Sequence, residues 1–285
     1  VKLVSRLLVS SRPVSWINTA FPFAVTYFMT SGQVDANLLV GFIFFLIPYN
    51  LLMYGINDVF DYESDLANPR KGGIEGALLE PKYHLATLSI ASLLSAPFVI
   101  YLFAAGNQVS SVVLTGTLFA VVAYSAKYLR LKEIPVLDSF TSAVHFVGPL
   151  VFGWFLANHG SLETPLVVAS AAFLLWGMAS HAFGAVQDIR ADRQANISSI
   201  ATFFGARTTV RLAFAAYLIA AVGALFLPGR YAFAALAIVP YLFVVGREFN
   251  ITDDNCELAN RGWKRFIWLN FFAGAVISSL LIGPS

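Results

Sequence analysis

Apolar residues run along this chain in long, nearly uninterrupted stretches, separated by short polar breaks. About 20 apolar residues carry a helix across the hydrocarbon core of a bilayer. Nine stretches fit that requirement, over 14–31, 38–56, 84–105, 109–126, 136–157, 165–186, 208–227, 231–247 and 265–283. The pattern predicts an all-α integral membrane protein with nine transmembrane helices, forming a single membrane domain over 1–285. The links after the first, third, fifth and seventh spans are short, and those after the second, fourth, sixth and eighth are longer and polar.

The positions of the cations give this assignment an orientation. Of the 18 Lys and Arg residues, only Arg230 falls on the side opposite the others. Positively charged loops stay in the cytoplasm, so the expected topology has a cytoplasmic N-terminus, cytoplasmic long loops and an outside C-terminus. Composition agrees: 58% of residues are hydrophobic and 12% are charged. A soluble domain carries roughly twice that charged fraction. A net charge of +2 argues against nucleic acid as a partner and leaves membrane lipid as the surroundings. One cysteine, Cys256, allows no intrachain disulfide, and the four histidines have no metal-ligand spacing.

Against this apolar background two acidic segments stand out. Asn57, Asp58, Asp61, Glu63 and Asp65 leave the second span, and Asp188 and Asp192 leave the sixth. On a continuing helix, residues four apart share a face, so Asn57, Asp61 and Asp65 form one row and Asp188 and Asp192 another, with Asp58 flanking the first. Either segment alone reads equally well as solvated charge at a helix end. Two on the same side with the same spacing point to a shared cation site, because clustered carboxylates repel unless cations lie between them. Hard oxygen donors suit Mg2+, which takes its remaining ligands from water and substrate phosphates. Arg70 and Lys71 follow the first segment, and Arg190 and Arg193 surround the second. A bare cation site has no use for these arginines, whereas a diphosphate has.

The segments follow spans four helices apart, which suggests a parallel internal repeat. Ser180, Gly184 and Asp188 share a face of the sixth span, and Asn50 lies seven residues before Asn57 inside the membrane. Small residues there fit either close helix packing or the wall of a cavity.

At these residues the chain resembles the UbiA superfamily of intramembrane prenyltransferases. The first family motif, NDxxDxxxD, is matched by Asn57, Asp58, Asp61 and Asp65, and the second, DxxxD, by Asp188 and Asp192. Arg70 stands where that family places an arginine after the first motif. The family's aromatic-basic motif after the fourth span is altered: Tyr124 is kept, but Lys127, Arg130 and Lys132 leave open which cation fills the lysine's role. The stretches 10–23, 44–65, 68–79, 173–181, 185–207 and 250–264 resemble the branch of actinobacterial lycopene elongases.

The resemblance implies a UbiA-like bundle around a central cavity, in the cell's inner (plasma) membrane with the site open to the cytoplasm. It implies Mg2+ as cofactor, dimethylallyl diphosphate as donor and lycopene or another carotenoid as acceptor. Asn57, Asp61, Asp65, Asp188 and Asp192 are the expected metal ligands. Asp58 and Tyr124 are the further catalytic candidates, and Arg12, Arg70, Lys71, Lys127, Arg130 and Arg193 are expected on the diphosphate. After the C–C bond forms, Tyr124 or the released diphosphate takes a proton, or water adds. Other readings are a relative using a quinone precursor, haem, a chlorophyll precursor or a glycerol phosphate as acceptor; a membrane cation transporter; and a structural companion of a carotenoid cyclase.

Overall fold

A computed structural model describes residues 2–66, 78–158 and 163–282. Arg70 and Lys71 therefore lie outside the described residues. Among the described residues the secondary structure is helical, with no strand. Among the described residues, eight helical segments are long and apolar enough to cross a membrane, from Ala36–Phe60 to Asp253–Leu281. The first predicted span is a shorter helix, α2 (Ile17–Ser31). It is separated from the amphipathic α1 (Lys2–Ser10) by a 3-10 turn at Pro13–Ser15, where Arg12 adopts φ 50° and Pro13 starts the turn. The helices fall into two compact units, Val1–Leu131 with His145–Gly160, and Lys132–Val144 with Ser161–Ser285.

The first unit holds α1, α2, α3 (Ala36–Leu46), α4 (Pro48–Phe60), α5 (Tyr62–Leu66), α6 (His84–Ala105), α7 (Gln108–Ser125) and the C-terminal part of α8 (Leu137–Ala157). Its core is an aromatic cluster of Phe23, Phe44, Phe45, Tyr49 and Phe152, all fully buried. Gly41 makes the cluster achievable, since a Cβ there would stand 2.1 Å from the Phe23 ring. The second predicted span breaks at Ile47, because Pro48 has no N–H and cannot continue α3. Asn50 repairs the break. Its side-chain amide donates to the carbonyl oxygens of Phe45 (2.8 Å) and Leu46 (3.1 Å) and to the Thr19 hydroxyl (2.7 Å). Side chains often supply freed carbonyls in this way inside a membrane.

The second unit holds the start of α8 together with α9 (Thr164–Val186), α10 (Ile189–Gln194), α11 (Ile200–Phe204), α12 (Ala206–Ala224), α13 (Ala235–Gly246) and α14 (Ala259–Ile282). Phe183, Tyr217, Tyr241 and Phe266 form its core against alanines of α9 and α12. Gly184 packs on Trp263, where an added Cβ would lie 2.8 Å from the indole ring. Ser180 shares a hydrogen bond of 2.7 Å with the Tyr217 hydroxyl. Of the two uses left open for these small residues, helix packing is realised at both. The last helix begins at Ala259, earlier than the run starting at 265, because the cations in its first turns remain compatible with an exposed helix end.

Candidate active site

In the first unit α4 carries the acidic row past the end of its apolar run. The helix ends at Phe60, Asp61 stands at the break with φ −103° and ψ 1°, and α5 follows at once. The backbone nevertheless keeps helical bonding across the break: the Asp61 N–H donates to the Asn57 carbonyl (2.9 Å) and the Asp65 N–H to the Asp61 carbonyl (2.8 Å). Asn57, Asp61 and Asp65 thus remain stacked one turn apart, as the four-residue spacing predicts. Asp61 and Asp65 are both buried.

Asp58 points elsewhere. It is fully buried and accepts hydrogen bonds from the Ser10 hydroxyl (2.6 Å) and the Arg12 guanidinium (3.2 Å). Arg12 also lies 4.2 Å over the ring of Tyr54, one turn before Asp58. Burial, the largest influence, would lower the Arg12 pKa, but the Asp58 charge, Tyr54, the Asp58 hydrogen bond and Asp65 together outweigh it and hold the guanidinium above its usual value. Asp58 therefore fastens the N-terminal segment to the motif helix. The sequence alone gives no sign of Ser10, which is 48 residues away.

The altered aromatic-basic segment meets the same helix. The Asn57 side-chain amide donates to the Ser125 hydroxyl at 3.2 Å, leaving the Asn57 carbonyl oxygen as the donor atom for a cation. An Arg130 nitrogen lies 3.7 Å from the Asp61 carboxylate, and another donates to the Phe60 carbonyl at 3.4 Å. Lys127 is exposed and sits 5.4 Å over the Tyr128 ring. Arg130 is thus a cation of this segment that reaches the acidic row. Tyr128 and Arg130 both adopt positive φ, 78° and 39°; this is uncommon for residues with a Cβ and occurs at constrained functional loops. Tyr124 stands edge-on to His145 at 5.2 Å.

The second unit carries the shorter motif. Asp188 links α9 to α10, and the Asp192 N–H donates to the Asp188 carbonyl at 2.8 Å. The flanking arginines bind an acidic run that precedes α14: Arg193 contacts Asp253 at 2.8 Å, and Arg190 contacts Glu257 at 3.2 Å. Asp253 also accepts the Ala206 N–H at 2.7 Å, tying the start of α12 to Arg193. Sequence spacing did not reveal these pairings.

Asp138 and His181 also form a pair in this unit, with 3.7 Å between the Asp138 carboxylate and Nε2 of the imidazole. A carboxylate inside a predicted span was the available signal for it.

The donor set of both acidic segments consists of hard oxygens, which fits Mg2+. Among the described residues, no three His, Cys, Asp or Glu side chains close a metal cage by themselves, so substrate phosphates and water would have to complete the coordination.

Comparison with known proteins is consistent across the chain. Residues 19–280 match the model of the UbiA prenyltransferase family. A lycopene elongase/hydratase of Corynebacterium glutamicum is 51% identical over 276 residues, covering 97% of this chain and 96% of that protein. A C(50) beta-cyclic carotenoids biosynthesis protein, LbtBC, of a Dietzia species is 52% identical over 281 residues, covering 98% of this chain and 65% of that longer protein. Among solved structures, a UbiA homolog from Archaeoglobus fulgidus bound to DMAPP and Mg2+ shares the fold. Its TM-score is 0.69 at 17% identity, over 95% of this chain and 99% of that one.

Proposed function

Because the chain belongs to the UbiA prenyltransferase family, we propose that it transfers dimethylallyl groups from dimethylallyl diphosphate to the ends of lycopene, giving C45 and then C50 carotenoids. Identity of 51% along nearly the whole chain to a lycopene elongase/hydratase carries the choice of acceptor. A cyclase partner finds no support in these observations.

The proposed ligands of Mg2+ are Asn57, Asp61, Asp65, Asp188 and Asp192. When bound, the metal would neutralise the diphosphate and make it a better leaving group. Arg130, beside Asp61, adds positive charge where negative charge grows on the departing diphosphate. Lys127, Arg193, Arg70 and Lys71 are proposed to bind the same group from the loops, with Arg193 exchanging its contact with Asp253 for phosphate. Arg12 acts chiefly through Asp58, by fixing the helix that bears the acidic row. The apolar helices beyond these residues exclude water from the allylic cation until the acceptor attacks. The distribution of Lys and Arg supports a cytoplasmic opening, with the donor arriving from water and the acceptor from the bilayer.

The test is an acceptor panel. Membranes carrying the chain receive labelled dimethylallyl diphosphate with lycopene, an aromatic quinone precursor or a glycerol phosphate ether. Label in C45 and C50 carotenoids is the expected result. Label entering another acceptor while lycopene stays unchanged would overturn the assignment.

A further inference from the structure

Asp138 is fully buried in the first turn of a membrane-spanning helix. A charged group at such a position is costly and marks a functional site with a partner. Its carboxylate is well supplied: it accepts the Ser139 N–H (2.6 Å), the Ser139 hydroxyl (3.2 Å) and the Ile200 N–H (2.7 Å). These bonds hold the carboxylate rigidly with one oxygen 3.7 Å from Nε2 of His181. A carboxylate fixed at that distance orients the ring and places negative charge beside a proton the imidazole takes up. Packing of α9 would not require a histidine. The buried positions of α9 are filled by alanine, glycine, phenylalanine, leucine and valine, and His181 is partly exposed.

Placement along α9 gives the pair a task. His181 precedes Asp188 by seven residues, most of them in α9, so it lies about 10 Å deeper along the helix axis. A diphosphate held at Asp188 would extend its prenyl carbon toward that depth. The new cation, formed one bond further into the acceptor, falls in the same region.

We propose that His181 is the catalytic proton acceptor that ends each prenyl transfer, with Asp138 as its positioning residue; this rests on the prenyltransferase reading above. The allylic C–O bond breaks, and its electron pair leaves with the diphosphate. The terminal double bond of the acceptor supplies the pair for the new C–C bond, which leaves a tertiary cation. A neighbouring C–H then gives its proton to the imidazole, and its electrons form a new double bond. Alternatively, water adds to the cation and gives the imidazole its extra proton, yielding an alcohol. The proton finally passes to solvent or diphosphate.

The assignment is tested on the full chain in membranes, with lycopene and labelled dimethylallyl diphosphate. His181→Gln is expected to lower kcat by about 10²–10⁴-fold, with KM for the diphosphate donor changed by less than about threefold. Added imidazole should restore part of that loss for His181→Gln but none for Asp138→Asn, whose defect is orientation. A second measurement uses the wild-type chain and does not depend on a variant folding. Diethylpyrocarbonate should inactivate turnover in step with carbethoxylation of His181, read by peptide mass spectrometry. Wild-type turnover that persists with His181 modified would overturn the proposal, as would a folded His181→Gln variant with near-normal kcat or a loss confined to KM. If wild-type membranes convert no lycopene at all, the proposed function fails rather than this assignment.

Discussion

The Arg12 guanidinium lies 3.2 Å from the fully buried Asp58 carboxylate, joining residues 46 positions apart at the base of the acidic helix. Removing one partner of such a pair strands the other charge, at a cost of about 3–5 kcal/mol. Arg12→Ala should therefore lower the thermal unfolding midpoint in detergent as well as turnover. An unchanged midpoint would mean that Asp58 is not held as described.

Arg130 and Lys127 lie three residues apart but meet different surroundings. Arg130 is 3.7 Å from Asp61, whereas Lys127 rests on Tyr128. Losing a charge-assisted contact costs about 1.5–3 kcal/mol, or roughly 10–100-fold in binding. Arg130→Ala should raise KM for dimethylallyl diphosphate by that order, and Lys127→Ala by clearly less. Steady-state kinetics on both variants decide it, and equal effects would contradict the placement.

Gly184 touches the indole of Trp263, so Gly184→Ala is an overpacking change with an expected cost of about 1–3 kcal/mol. The measurement is the unfolding midpoint. A variant as stable as the wild type would favour open space over packing at that position.

Asp35 caps α3 by accepting the Leu38 N–H at 3.0 Å and also accepts the Tyr27 hydroxyl at 2.7 Å. Burial alone would raise its pKa, but these hydrogen bonds outweigh burial and hold it below the usual carboxylate value. A depressed folded pKa means that the stability is present above the unfolded value, about 3.9, and is lost as pH falls through the folded value. Asp35→Ala should cost about 1 kcal/mol near neutral pH. The gap to wild type should close in acid, below the usual carboxylate range. A gap that persists there would show that the charge of Asp35 contributes nothing.

The sequence exposes the apolar runs and the two acidic rows because both depend on local spacing. The row Asn57–Asp61–Asp65 survives even a helix break, since the i→i−4 bonds cross it. The break at Ile47–Pro48 needed only proline chemistry to foresee, but the apolar run over 38–56 concealed it. Contacts across long separations left no local trace. Ser10 with Asp58, Arg193 with Asp253, and Asp138 with His181 depend on which helices lie together. Helix α2 starts later than its apolar run because Arg12 and Pro13 set a tight turn before it.

On the proposed function, the two acidic rows together carry Mg2+-dependent prenyl transfer. The most direct measurement is label transfer from dimethylallyl diphosphate to lycopene by the wild-type chain, Asp61→Ala and Asp188→Ala, each with Mg2+ and with a chelator. C45 and C50 products are expected from the wild type with Mg2+ alone, with a fall of at least about 10²–10³-fold in either variant. Transfer that survives chelation, or that persists at wild-type rate in both variants, would contradict it.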